Sequence, residues 1–385
     1  MKTIKDYDLN NKKVIIRCDF NVPIQSGVIT DDTRIKESLP TIKYAVDNNA
    51  KVILLSHLGR IKEEKDKQNN SLLPVKERLS QLLGMEVIFS KYTHGDTLNN
   101  LVLALKPKDI LLVENTRYED LDNKKESTCN DELSKYWASL GDIFINDAYG
   151  TLHRAHASNV GIAKYLPSGI GFLVENELTK INDFLKEDTH PYILIMGGKK
   201  VSDKITLIEN LINKCDKLLI GGAMAFTFLN TLGYDTKDNI VDKENLTFCK
   251  NILNKYPSNI ILPVDFINEK GENIPLNRLN KEIALDIGAS TVELFQKELS
   301  NAKRVIINGP MGMFEDKRYQ NGTKKLYTYL YENNIKTLIG GGDTAASANI
   351  LGFKDKFYHI STGGGATLEY LEGKPLEGLN VISHE

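Results

Sequence analysis

Arginine is scarce in this chain of 385 residues: there are nine, against a freely used lysine complement that brings the basic total to 49. Five of them, Arg17, Arg34, Arg60, Arg117 and Arg154, fall at or just after short β-branched runs of the first half, or in the adjoining loops. The guanidinium fork matches phosphate and carboxylate bidentately, so such a set points to an anion with several oxygens. His57, His153 and His156 stand beside it. The competing reading is a group of structural ion pairs, because Asp19, Asp31, Asp32 and Glu114 are close in sequence. His153 and His156 are three apart, a spacing that can hold a metal, but no third soft ligand is near and Arg154 between them would repel a cation. Hydrogen bonding to an anion, or packing, suits them better.

The second half offers glycine instead. Gly197-Gly-Lys-Lys200, Gly221-Gly-Ala223, Asn308-Gly-Pro310, Gly340-Gly-Gly-Asp343 and Thr362-Gly-Gly-Gly365 each follow an apolar run. Such turns present backbone N–H groups, often at a helix N-terminus where the dipole favours phosphate. One glycine pair can equally serve a tight turn; a succession of them at strand ends argues for phosphate binding. Asp343 is placed to hold a magnesium ion on those phosphates, and Lys200 and Lys204 can bring ammonium charge to the same place. Neither G-x-x-x-x-G-K-[ST] nor a G-x-G-x-x-G after a strand occurs, which removes the usual warrants for P-loop NTPases, Rossmann dehydrogenases and protein kinases.

Those residues need a scaffold. The runs Val14–Arg17, Val52–Leu55, Ile110–Val113 and Ile143–Ile145, and those near Ile193, Leu218, Val305, Leu338 and His359, alternate with helix-period stretches. That is the pattern of α/β parallel sheets, which bind ligands beyond the carboxyl ends of their strands. Phe172–Glu187 reads as a connecting helix between breakers at Leu166–Gly171 and His190-Pro191. The expected organisation is an N-terminal domain over 1–171, the connector over 172–187, a C-terminal domain over 188–370, and a segment 371–385 that packs back on the first domain. Ile61–Ser71 reads as a solvated loop. A net charge of -2 gives no field for nucleic acid or anionic membrane. The longest uncharged stretch, Leu218–Tyr234, is shorter than the roughly 20 residues of a membrane span and is broken by glycines. The four cysteines are far apart, and the first residues contain no secretory h-region. A cytoplasmic protein is expected.

Taken together, these segments carry a resemblance. Val14-Ile-Ile-Arg-Cys-Asp-Phe-Asn-Val-Pro23, Asp32-Thr-Arg-Ile35, Ser56-His-Leu-Gly-Arg60, Glu114-Asn-Thr-Arg117, Asn146–His156, Lys200–Ile205, Leu262–Asp265, Asn308–Glu315, Gly340–Thr344 and Ser361–Ala366 occur in the order and form of phosphoglycerate kinases. The chain resembles that family over essentially its full length. The resemblance implies two doubly wound, Rossmann-like parallel-sheet domains joined by a helix and closing like a hinge. It implies a monomer that transfers a phosphoryl group reversibly between 1,3-bisphosphoglycerate and ADP, giving 3-phosphoglycerate and ATP with magnesium.

By the same resemblance, Asp19, Phe20, Asn21, Arg34, His57, Leu58, Gly59, Arg60, Arg117 and Arg154 form the site for the three-carbon acid. Gly198, Gly221, Gly222, Gly288, Asn308, Pro310 and Glu315 belong to the nucleotide pocket. Lys200, Lys204, Gly341, Gly342, Asp343 and Thr344 meet its phosphates, with Asp343 on the metal. Arg34, Lys200, Lys204, Gly341 and Gly364 surround the group in transit. Four positions depart from the family pattern: Lys199 where a small residue is common, Ile307 for Trp, Ala289 for Pro and Asn176 for Lys. They touch nucleotide affinity and closure, and none removes an implied phosphate ligand. A non-catalytic nucleotide-binding relative is the alternative, and it would be expected to lack Arg34, Lys200 or Asp343. An unrelated nucleotide-dependent ligase has no nucleophile motif in its favour.

Overall fold

Val14, Ile15 and Ile16 have no solvent exposure at all. A run without a polar face belongs in a central strand covered by helices on both sides, and the structure puts it there. The coordinates are a computed structural model describing residues 1–383. The chain divides into one unit of Met1–Thr179 with the stretch from Pro375 onward, and a second unit of Lys180–Lys374.

In the first unit six strands, β1 (Lys13–Arg17), β2 (Lys51–Leu55), β3 (Ile88–Ser90), β4 (Ile110–Val113), β5 (Ile143–Asn146) and β6 (Ser168–Ile170), form one parallel sheet in the order β3-β4-β2-β1-β5-β6. Successive side chains point to opposite faces. Val14, Ile16, Val52 and Leu54 therefore pack with Ile35 and Ile42 of α1 (Thr33–Asp47) and with Val75 and Leu79 of α2 (Leu73–Leu83). Ile15, Ile53, Leu111 and Phe144 pack with Leu98 and Val102 of α3 (Asp96–Ala104) and Trp137 of α4 (Asp131–Ser139). The chain's last stretch lies in this unit too: after α13 (Glu377–Asn380, numbered by its place in the chain), the Ser383 carbonyl accepts from Lys2 N at 2.8 Å.

Helix α5 (Phe172–Lys186) begins in the first unit and ends in the second. Its first turn is held by Thr41 Oγ1, which accepts from Phe172 N at 2.9 Å, and by Asp147 Oδ1, which accepts from Leu173 N at 3.0 Å. Near its other end the Phe184 carbonyl accepts from Arg304 Nη1 at 2.6 Å.

The second unit has its own six-stranded parallel sheet, from β7 (Tyr192–Met196), β8 (Lys217–Ile220), β9 (Ile260–Ile261), β13 (Arg304–Asn308), β14 (Lys336–Ile339) and β15 (His359–Ile360). Its order, β9-β8-β7-β13-β14-β15, is the doubly wound one in which strand order reverses between the first and fourth strands. Helices α6 (Ile205–Leu211), α7 (Met224–Thr231), α8 (Leu246–Lys255), α9 (Ala289–Leu299), α10 (Asn321–Glu332) and α11 (Gly342–Ile350) lie between its strands, and α12 (Gly365–Leu371) follows the last of them. A small antiparallel sheet, β10 (Asp265–Asn268), β11 (Asn273–Pro275) and β12 (Ala284–Ile287), is inserted before α9.

Every run read as a strand is a strand. The sequence did not reveal β3, β6, β9 or the small antiparallel sheet, all runs of two to four residues, too short for a period to register. The Ile61–Ser71 segment is also more ordered than a solvated loop, since Glu64–Asn69 forms a 3-10 helix and the Asn70 carbonyl accepts from Asn115 Nδ2 at 2.8 Å.

Candidate active site

At the carboxyl edge of the first sheet, around the reversal of strand order between β1 and β5, the chain leaves each strand through a polar residue. Arg17 ends β1 but is wholly buried, so it is a support within the protein rather than a ligand group. Its Nε donates to Ser158 Oγ at 2.8 Å and its Nη2 lies 3.2 Å from His57 Nδ1. A guanidinium can only donate, so His57 Nδ1 accepts and the neutral ring keeps its proton on Nε2. Two residues on, Asp19 is almost buried and receives Arg34 Nη1 at 3.0 and 2.9 Å on its two oxygens. Asn21 adds its carbonyl to Arg34 at 3.3 Å, and its side-chain Oδ1 accepts from Gly59 N at 2.9 Å. Arg34, 36% exposed at its side chain, is thus held through Nη1 alone. Phe20 and Leu58 are buried beneath, and Phe20 N donates to Ser56 Oγ at 2.9 Å.

Arg117 and Arg154 complete the cluster, with Arg60 exposed at its rim. Asn115 organises the loop after β4: its Oδ1 accepts from Leu58 N and Arg117 N at 3.1 and 3.0 Å. Arg154 Nε donates to His153 Nε2 at 3.1 Å. Burial and the surrounding guanidiniums hold all three histidines deprotonated: His57 well below the ordinary range, His153 at about 4, His156 at about 3. One buried carboxylate, Glu126, partly offsets the charge; its own proton affinity is raised by burial, against the pull of Arg17. Arg117 Nε, His153 Nδ1 and His156 Nδ1 are buried without a hydrogen-bond partner. Orphaned polar atoms of this kind carry a cost that a ligand's oxygens can relieve.

The second unit's reversal point, between β7 and β13, is built from backbone. Gly198 and Gly309 hold φ of 103° and 101°, which L side chains rarely adopt, and a Cβ on Gly309 would fall 2.2 Å from the Gly197 carbonyl. Gly222 is as crowded, 2.6 Å from Gly198 N. Beside these turns opens a cavity of about 470 Å³. Its walls include Gly198, Lys199, Gly222, Pro310 and the ring pair Phe226–Phe266, whose centroids are 5.0 Å apart; Glu315 and Asp343 are at its exposed margin. An apolar slot of this size with a few polar groups suits a nucleoside. Gly221 and Gly288 stand back from the wall, Gly221 against Met311 and Gly288 against Asp265. The walls from the small antiparallel sheet and from Phe226 were not read from the sequence. Their only signal was apolar residues in otherwise ordinary runs.

Next to the cavity, α11 is preceded by its N-cap Gly341, φ 100°, with Gly342 and Asp343 exposed in its first turn. Thr344 Oγ1 accepts from Gly309 N at 2.7 Å, and Asn308 Nδ2 donates to the Gly340 carbonyl at 2.9 Å. Lys204 Nζ is hydrogen-bonded to Asn308 Oδ1; burial lowers its proton affinity, against the pull of Asp203 and Asp343. Asn308 therefore positions a cation beside a helix N-terminus. Lys200 is exposed on the neighbouring loop, and Gly364, φ 54°, leads into α12.

Two doubly wound sheets, one ending in cationic side chains and the other in glycine turns beside a nucleoside-sized slot, define a nucleotide-dependent phosphotransferase. The phosphoglycerate kinase family model matches residues 4–374. Phosphoglycerate kinases of Macrococcus caseolyticus and Enterococcus faecalis are each 50% identical to the chain, with 99% of both partners covered in either case. The solved phosphoglycerate kinase structure from Coxiella burnetii superposes with a TM-score of 0.86 at 35% identity, covering 98% of each chain. That from Pyrococcus horikoshii gives 0.86 at 31%, covering 99% of this chain. The chain belongs to the phosphoglycerate kinase family.

Proposed function

We propose that the first unit's basic cluster holds the three-carbon acid and the second unit's turns hold the nucleotide of the family reaction. That reaction is reversible phosphoryl transfer from 1,3-bisphosphoglycerate to ADP, giving 3-phosphoglycerate and ATP. The observation that carries the assignment is the set of buried, unpartnered polar atoms at Arg117, His153 and His156 within a cluster of arginines. Arg60, Arg117, Arg154 and His57 grip the phosphate and carboxyl ends, while Asp19 and Asn21 orient Arg34 and meet the glycerate. The acyl oxygen that attacks in the ATP-consuming direction is a carboxylate, already ionised, so no general base is required. Catalysis is then positioning and charge neutralisation. Arg34, Lys200, Lys204 and the amides at Gly341 and Gly364 supply the positive charge around the group in transit.

Magnesium fits the donor set. Among the described residues no group of three His, Cys, Asp or Glu forms a protein cage, and Asp343 is one exposed carboxylate beside the amides that receive phosphate. A cation that keeps its waters and binds through one or two carboxylates plus phosphate oxygens suits that arrangement. When bound it would neutralise phosphate charge. Transfer follows closure of the two units, which excludes water from the acyl phosphate. Among the described residues no helix is long and apolar enough to cross a membrane. The reading includes action as a monomer in the cytoplasm. A coupled assay with 3-phosphoglycerate, ATP and magnesium tests the reading. Turnover that depends on magnesium is expected, and folded protein with none would overturn it.

A further inference from the structure

The opposite edge of the second unit's sheet, where its strands begin, has a second cavity, of about 340 Å³. Arg304 opens β13 and is 4% exposed. Its Nε and Nη1 donate to the Thr189 and Phe184 carbonyls at 3.1 and 2.6 Å, and its guanidinium carbon lies 4.1 Å from the Tyr192 ring centroid. Among the described residues no hydrogen bond from Nη2 stands beside those two. The carboxylates that act on Arg304 from longer range are engaged elsewhere: Asp216 receives His190 Nδ1 at 2.6 Å and Tyr192 N at 2.7 Å, and Glu187 receives Lys336 and Thr189. A nearly buried guanidinium satisfied only by carbonyls retains its full positive charge. Tyr192 opens β7, is 1% exposed, and its hydroxyl has no hydrogen-bond partner.

Both residues line the cavity, with Lys214 and Lys374 as further cations and no carboxylate among its walls. Lys374 is engaged by Glu372 at 2.6 Å; Lys214 is exposed and makes no ion pair among the described residues. A concave site lined by three cations and an unsatisfied buried hydroxyl, with Glu372 pairing one of those cations from outside the walls, is complementary to a ligand bearing acceptor oxygens and negative charge. Its volume lies at the small end of ligand pockets, about 300 Å³. Asn182 and Tyr370 also line it, joined by a hydrogen bond of 2.7 Å from the Tyr370 hydroxyl to Asn182 Oδ1. Asn182 is on α5 and Tyr370 is near the end of the second unit, so the cavity abuts both stretches through which the chain enters and leaves that unit.

We propose that this cavity binds a compact phosphate-bearing polyanion, held by Arg304, Lys214 and Lys374 with Tyr192, at a site separate from the two described above. Binding is read on the full-length chain by amide NMR, titrating inorganic pyrophosphate in one arm and a phosphate monoester, glycerol 2-phosphate, in the other. Pyrophosphate is expected to shift the Lys214 and Gly373 amides saturably, apart from any shifts at Arg117 and Arg154. Movement of the same amides by the monoester as well would assign the site to esterified phosphate too; pyrophosphate alone would assign it to the free anion. Lys214→Glu, at an exposed position, should weaken the effect at least tenfold, leaving shifts at Arg117 and turnover without added anion unchanged. The proposal is overturned if the Lys214 and Gly373 amides stay still at concentrations that saturate the arginine cluster, or if Lys214→Glu titrates with the wild-type midpoint.

Discussion

The two sheet edges solve the same problem with opposite materials. Both lie where strand order reverses, yet in the first unit the anion site is made of charged side chains positioned by polar neighbours, Asp19 on the Arg34 guanidinium and Asn115 on the Arg117 main chain. In the second it is made of main chain brought so close that a methyl group will not fit, as at Gly309 and Gly222. One site should therefore fail by subtraction and the other by addition.

Subtraction should have the largest effect. Arg34→Ala removes the charge next to the group in transit and leaves the fold intact, because Asp19 keeps the Asn21 N–H, at 3.2 Å, as a partner. A fall in kcat on the order of 10³ is expected in the coupled assay, as for arginines that neutralise charge in phosphoryl transfer. A value within about tenfold of wild type would make Arg34 a binding group only.

Addition should come next. Gly309→Ala forces both a clash at 2.2 Å with the Gly197 carbonyl and a side chain onto a backbone at φ 101°. A loss of about 2 to 4 kcal/mol in urea unfolding and a raised KM for ADP are expected. Gly342→Ala is the control, since nothing lies within 4 Å of its Cβ position and its φ is not in the left-handed region. It should leave stability within about 0.5 kcal/mol. Equal losses in the two variants would remove the contrast between the edges.

Acid should separate the units more gently. The buried histidines stay neutral in the folded first unit while the unfolded chain takes up protons below about pH 6.5. Their contribution is thus complete above that pH and falls as pH drops toward about 4 for His153 and about 3 for His156, by at most about 1.4 kcal/mol per pH unit for each. Asp147 in the first unit and Asp286 in the second behave oppositely. Burial pushes each up to about 7, so the folded form keeps a proton that the unfolded chain releases above about pH 4, and their contribution is lost as pH rises through that window. Three histidines against Asp147 and Glu126 make the first unit the acid-labile one. The single tryptophan, Trp137, is buried there and reports on it alone. Its urea midpoint should drop between pH 7 and pH 5 while a second transition, followed by circular dichroism, holds or rises. A tryptophan midpoint that rises on acidification would sink the argument.

What the sequence made legible follows the same divide. Central strands such as the one holding Val14, Ile15 and Ile16 were readable because a stretch buried on both faces is apolar throughout, and charged side chains declared the first edge by type. Arg17 misleads for the same reason: type and position put it with the anion-binding arginines, but its burial under His57 depends on Ser158, more than a hundred residues away. The second edge was legible as glycine, while the slot beside it was not. Phe226 and Phe266 meet only because the small antiparallel sheet, invisible to periodicity, brings them together. Likewise the cavity at Arg304 combines residues from four stretches of chain, and no local pattern marks it.

The smallest expected effect belongs to Lys199, which lines the nucleoside-sized cavity yet is exposed. In an edge made of backbone, an added long side chain would be the most damaging change if it pointed inward. Lysine escapes that outcome because its stem can lie along apolar wall while the ammonium stays in water. An exposed charge near the nucleotide is worth at most about 1 kcal/mol and fades with salt. Lys199→Ala should therefore change the KM for ADP less than about tenfold, more at low ionic strength than at high, and leave kcat almost unaltered. The contact would be the same in ground and transition states, and such uniform binding does not speed the chemical step. A large fall in kcat with little change in KM would place Lys199 on the transferring group. The second edge would then depend on a side chain after all, and Lys200 would have to share its role.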